Sequence, residues 1–121
     1  MHMKTFLIYH NPRCTKSRES LKLLQDRCCA LKVKLYLEDG LDAEEIQELK
    51  EALGLPIREF IRSKEPEYKV MGLSKQSTET ELAKALEKAP KLLERPIIVS
   101  SGKRAVIGRP VEITQKFIEQ Q

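Results

Sequence analysis

"TFLIYHNPRCTKSRESL", residues 5–21, changes periodicity halfway along. Thr5 to Tyr9 form a short apolar run of β-formers, and His10, Asn11 and Pro12 break it, which reads as a buried strand feeding a loop. From Thr15 the pattern becomes helical: Ser17, Leu21, Leu24, Cys28 and Leu31 recur at spacings of four, three, four and three, on one helix face. The loop therefore delivers Cys14 to the beginning of a helix. "VKLYL" at 33–37 alternates and reads as a second strand. Strand, helix, strand in that order is a βαβ unit, which requires parallel pairing.

Further along, Asp42 and Glu45 form a capping box with Leu41 and Ile46 as its staple, and Ile46, Leu49 and Leu53 carry an apolar face to Gly54. Residues 56–76 hold two short helical patterns interrupted by Pro66 and Gly72. Thr78 with Glu81 caps another helix, with Leu82, Ala85, Leu86 and Ala89 inward and Pro90 ending it. "RPIIVSSGKRAVIGRPVE" then reads as two β runs, Ile97 to Val99 and Arg104 to Ile107, joined through Ser101 and Gly102. Pro110 starts a last helix with Ile113 and Phe117 inward. This order predicts an α/β, thioredoxin-like fold: a four-stranded mixed β-sheet flanked by helices, within one domain over 1–121. A helical insertion at approximately 41–90 separates the βαβ unit from the C-terminal hairpin.

Composition narrows the function classes. The net charge of +4 is spread as Lys and Arg alternating with Glu, so no basic tract points to nucleic acid. Three Phe and three Tyr with no Trp leave little from which to build a base-stacking platform. The apolar run at Thr5–Tyr9 is too brief for a signal peptide, and no later run could span a bilayer. Three cysteines without paired spacing suit free thiols in a reducing compartment, and the expected location is cytoplasmic. His2 is given no role.

Cys14 stands between Arg13 and Lys16, with Arg18 beyond, at the start of a helix. Unpaired N–H groups there carry partial positive charge, and with the flanking cations they favour thiolate over thiol. The same groups attract an anion, so nucleophile and oxyanion are drawn to one place. The alternative reading is an incidental loop thiol amid solvated charge.

Position 17, where a Cys-x-x-Cys motif would place its second thiol, is Ser17. Cys28 lies about 21 Å further along a continuous helix, beyond disulfide reach. Cys28 and Cys29 are expected to pack as small hydrophobes. A Cys-x5-Arg phosphatase loop would need Arg where Ser20 stands, and one thiol with His10 does not make a metal site. A thiol without a partner can still work by handing its oxidised form to an external thiol such as glutathione, which is a monothiol architecture.

"YHNPRCTKSRESL", "FIRSK", "ERPIIV" and "IGRPVE", in that order from about Thr5 to Ile118, resemble the arsenate reductase ArsC family of the thioredoxin-like superfamily. The resemblance implies that Cys14 attacks arsenate and that Arg62, Arg95 and Arg109 hold the oxyanion through bidentate guanidinium donors. It also implies a cis Arg95–Pro96 bond, and supporting roles for His10, Asn11, Arg13, Ser17 and Arg18 around the loop. The implied cycle is a covalent Cys14 adduct, displacement by glutathione as co-substrate to leave a mixed disulfide, and reduction by glutaredoxin with release of arsenite. No bound cofactor and no metal are implied. The well-known resistance enzymes carry Ala-Cys-Gly-Thr-Ser-Arg and a longer tail, whereas this chain has Arg13-Cys14-Thr15-Lys16-Ser17-Arg18 and stops at Gln121, closer to a shorter chromosomal branch. Two other readings use the same fold: an Spx-like regulator contacting RNA polymerase, whose Cys-x-x-Cys switch Ser17 removes, and a monothiol deglutathionylase acting on a different substrate through Cys14.

Overall fold

The computed structural model describes residues 4–27, 30–101 and 103–121. The chain divides into two compact units, one formed by residues 1–36 and 95–121 and the other by 37–94. His2, Cys28, Cys29 and the hairpin residue Gly102 lie outside the described residues.

The first unit holds the sheet. Strands β1 (Thr5–Tyr9), β2 (Ala30–Lys34), β3 (Ile97–Ser100) and β4 (Ala105–Ile107) take the order β2-β1-β3-β4. β1 and β2 are parallel, while β3 runs antiparallel to both β1 and β4, so the sheet is mixed, as expected of a thioredoxin-like fold. Helix α1 (Thr15–Arg27) supplies the parallel crossover, and α6 (Val111–Gln120) packs beside it. Phe6, Ile8, Leu24, Ile98, Phe117 and Ile118 form the buried core, with Phe6 and Phe117 edge to face at 6.0 Å between ring centroids.

Three expectations are corrected in this unit. The second strand ends at Lys34, and Tyr36–Asp39 is a short helix, α2. Pairing with a five-residue β1 fixes the register from Thr5↔Ala30 to Tyr9↔Lys34, and His10 N–H closes the ladder on the Lys34 carbonyl at 2.9 Å. β2 is an edge strand, so its own sequence "ALKVK" carries little burial signal. Leu31 accordingly belongs to β2 rather than to the α1 face. Ile113 points outward at 38% exposure, and Thr114, Phe117 and Ile118 form the inward face of α6. One residue is about 100° of helix, enough to put the bulkier side chain outside.

In the second unit, helix α3 (Ala43–Leu53) is capped by Asp42 and Glu45 as expected and ends at left-handed Gly54. Helix α5 (Glu79–Lys88) carries the Thr78–Glu81 box, with Leu82, Ala85 and Leu86 buried and Ala89 half-buried at its C-cap. Pro66 begins rather than interrupts the short helix α4 (Pro66–Val70), occupying a first-turn position that lacks an N–H partner anyway. An isolated bridge between Ile61 and Leu93 ties the segment before α4 to the segment after α5. Among the described residues no helix is long and apolar enough to cross a membrane.

Candidate active site

Register brings the distant segments together. Tyr9 pairs with Ile97, and Ile97 pairs with Ile107. Since β3 is antiparallel to its neighbours, the chain just after Tyr9, just before Ile97 and just after Ile107 emerges at one end of the sheet. His10–Cys14, Arg95–Pro96 and Gly108–Arg109 all belong to that end. The Arg95–Pro96 and Arg109–Pro110 bonds are both cis; the first matches the expectation and the second was not anticipated.

Cys14 closes the loop and opens α1. Its N–H donates to the Asn11 carbonyl and its own carbonyl accepts from Arg18 N–H, each at 3.0 Å, so Cys14 sits where an N-cap residue sits. Asn11 Oδ1 accepts the Arg13 N–H at 3.0 Å. Cys14 is 8% exposed, yet its surroundings are polar. Burial pushes the Cys14 thiol up, but the Ser17 N–H, the Arg95 guanidinium and the Lys16 N–H together hold it below the ordinary thiol range. The acidifying groups are thus α1's first N–H groups and a distant arginine, rather than the Arg13, Lys16 and Arg18 side chains that sequence proximity suggested. Arg18 is instead a clamp: its guanidinium donates to the Pro12 carbonyl at 2.9 Å and to Thr15 Oγ1 at 3.2 Å. Arg109 Nη1 lies 3.8 Å from Cys14 Sγ and donates to the Arg95 carbonyl at 3.2 Å.

Ser17 is the hub beneath the loop. Its buried hydroxyl accepts from Asn11 N–H at 3.0 Å and lies 2.7 Å from His10 Nδ1. Burial, with the nearby Arg18 charge, lowers the His10 pKa, so at neutral pH the ring is uncharged and acts through its hydrogen bond. His10 and Asn11 at the end of β1 are thereby fixed to the first turn of α1.

Arg62 sits in the second unit. Its N–H donates to the Leu92 carbonyl at 2.7 Å, and its guanidinium pairs with Glu65 and, at 3.9 Å from Nε, with Glu94. Glu65 also meets Lys91 at 3.5 Å. Among the described residues, no three His, Cys, Asp or Glu side chains gather as a metal ion would need.

Three residues behind the site were not singled out by sequence. Ser20 of α1 and Thr114 of α6 are fully buried with their hydroxyl oxygens 2.8 Å apart, and a Cβ on Gly108 would fall 2.2 Å from Thr114 Oγ1. The available signal was a small hydroxyl at an inward helix position, Ser20 following Ser17 by three residues.

The ArsC family profile matches residues 9–117. A protein from Escherichia coli K12 described as "Uncharacterized protein YfgD" is 48% identical over 90% of this chain and 92% of its own length. A Neisseria meningitidis protein named arsenate reductase is 42% identical over 91% of this chain and 95% of its own. The structure of an arsenate reductase from Vibrio cholerae superimposes with a TM-score of 0.88 at 40% identity, covering 95% of this chain and 98% of that one. With the family profile spanning residues 9–117 and these relatives 40% identical or more over at least nine-tenths of its length, the chain belongs to the ArsC family.

Proposed function

We propose that this protein reduces arsenate to arsenite in the cytoplasm, with Cys14 as nucleophile. The observation that carries the reading is a lowered-pKa thiol at the start of α1 with Arg95 and Arg109 beside it, in a chain whose relatives are named arsenate reductases. Cys14 thiolate attacks arsenic and an arsenate oxygen leaves as water; Arg95 and Arg109 neutralise the remaining oxyanion charge. Glutathione then adds to arsenic, displacing a second oxygen as water. Sulfur–sulfur bond formation between glutathione and Cys14 leaves two electrons on arsenic, which takes up one water and departs as arsenite. Glutaredoxin with further glutathione returns the mixed disulfide to thiolate. Arg62 is proposed as a third oxyanion ligand on the family resemblance alone; within its own unit its guanidinium pairs with Glu65 and Glu94. Purified protein with arsenate, glutathione and glutaredoxin should form arsenite, and Cys14→Ser should form none. Wild-type turnover in Cys14→Ser would refute the assignment, and reduction of protein–glutathione disulfides without arsenate turnover would transfer the same chemistry to another substrate.

A further inference from the structure

Cys14 begins α1, and Arg109 stands just ahead of α6. Further along the same two helices, Ser20 and Thr114 meet through their hydroxyls at 2.8 Å with both side chains fully buried. The pair presses on the backbone of Gly108, where a Cβ would lie 2.2 Å from Thr114 Oγ1 and 3.0 Å from Ser20 Oγ. Gly108 N–H in turn donates to the Pro96 carbonyl at 2.9 Å, beside Arg95. The contacts close a ring that runs from Cys14 along α1 to Ser20, across to Thr114, back to Arg109, and through its guanidinium to Cys14 Sγ at 3.8 Å.

We propose that Ser20 and Thr114 are positioning residues whose hydroxyl pair holds Gly108, and through it the Arg109 guanidinium, against Cys14. The argument is geometric. A polar pair sealed from water keeps its hydrogen bond, because an orphaned hydroxyl there has no solvent to turn to. A van der Waals contact would tolerate sliding of α1 on α6, whereas a directional bond fixes their offset. Gly108 lets the hydroxyls reach the backbone itself, so that offset is passed to the next residue, Arg109, without an intervening flexible side chain. The inference rests on the reading of Arg109 as an anion ligand for the Cys14 reaction, but its test does not require arsenate.

In that test, iodoacetate and iodoacetamide compete for the folded protein and the two products on the Cys14 peptide are quantified by mass spectrometry. Both reagents need the thiolate and the same access, so the ratio of products reports the positive charge beside Sγ. A unit charge about 5 Å from the reacting atoms in a water-like dielectric favours the anionic reagent by about fourfold. Arg109→Gln should lower the ratio by about that factor. Thr114→Val should lower it at least about twofold, Thr114→Ser should restore it, and Thr114→Val should change nothing further in an Arg109→Gln background. If Thr114→Val does not fold, Ser20→Ala takes its place. Phe117→Leu, which loosens the same core elsewhere, should keep the wild-type ratio and shows that instability alone does not move it. The proposal is overturned if Thr114→Val keeps the wild-type ratio, if its effect persists without Arg109, or if Arg109→Gln itself leaves the ratio unchanged. Absence of arsenate turnover would refute the proposed reaction and leave these ratios as they are.

Discussion

Gly108→Ala is a severe test of the packing behind the thiol. The added methyl would stand 2.2 Å from Thr114 Oγ1, 2.7 Å from Ile98 Cδ1 and 3.0 Å from Ser20 Oγ, where ordinary contact begins at 3.4 Å. Three neighbours on α6, β3 and α1 would each have to retreat, and the largest movement exceeds an ångström. Overpacking of this kind costs about 1–3 kcal/mol. Turning Thr114 away from the methyl also breaks its bond to Ser20, worth about 1 kcal/mol more. At about 4 °C per kcal/mol for a chain of this size, a loss of about 2–4 kcal/mol lowers the unfolding midpoint by roughly 8–16 °C. Thermal unfolding of Gly108→Ala, Thr114→Ala and the double variant measures it. Removing Oγ1 relieves the shortest contact, so the double variant should recover at least about 1 kcal/mol relative to additivity. A Gly108→Ala protein as stable as wild type, or strict additivity in the double variant, would refute the close approach.

The alkylation rate of Cys14 should reach its half-maximum below the ordinary thiol pH, and Arg95→Gln should raise that midpoint, read from pH–rate profiles. Because the folded state favours the thiolate, Cys14 adds stability that is complete above the unfolded thiol value of about 8.5 and disappears as pH falls through the lower folded value. Denaturation of wild type and Cys14→Ser across that window should show the difference growing with pH. His10 is held neutral, so its contribution is complete above 6.5 and is lost as pH falls from 6.5 toward the lower folded value; His10→Gln should flatten this part of the acid limb in urea titrations. In the second unit, Asp42→Ala and Thr78→Ala each remove a capping box and should each cost about 1 kcal/mol in the same titrations.

What could be read from sequence was what neighbouring residues decide among themselves. The passage from β1 through the cysteine loop into α1 was legible because the apolar period changes at Pro12–Thr15, and both capping boxes because their partners are three residues apart. The second strand was misplaced because an edge strand is specified by its neighbour's register rather than by its own alternation. Hydrophobicity points to Ile113 as core, while the inward position belongs to Thr114, whose hydroxyl has a partner on another helix that sequence does not reveal. The acidity of Cys14 follows from the N–H groups at the start of α1, as the sequence implies, but from a different arginine. Arg13 and Arg18 are close in sequence, but only the fold places Arg95 at the sulfur and sends the Arg18 guanidinium to the Pro12 carbonyl and Thr15 hydroxyl.

The row Tyr9–Ile97–Ile107 makes reactivity a late product of synthesis. A nascent polypeptide that has emerged through α1 already owns its sulfur but neither of the guanidinium groups that serve it, since these arrive with the final segment. Until β3 docks beside β1, the sulfur has only the first N–H groups of α1 to favour its thiolate, and the arginine charge is still missing. Full reactivity therefore waits for the strands that carry Arg95 and Arg109 to the loop.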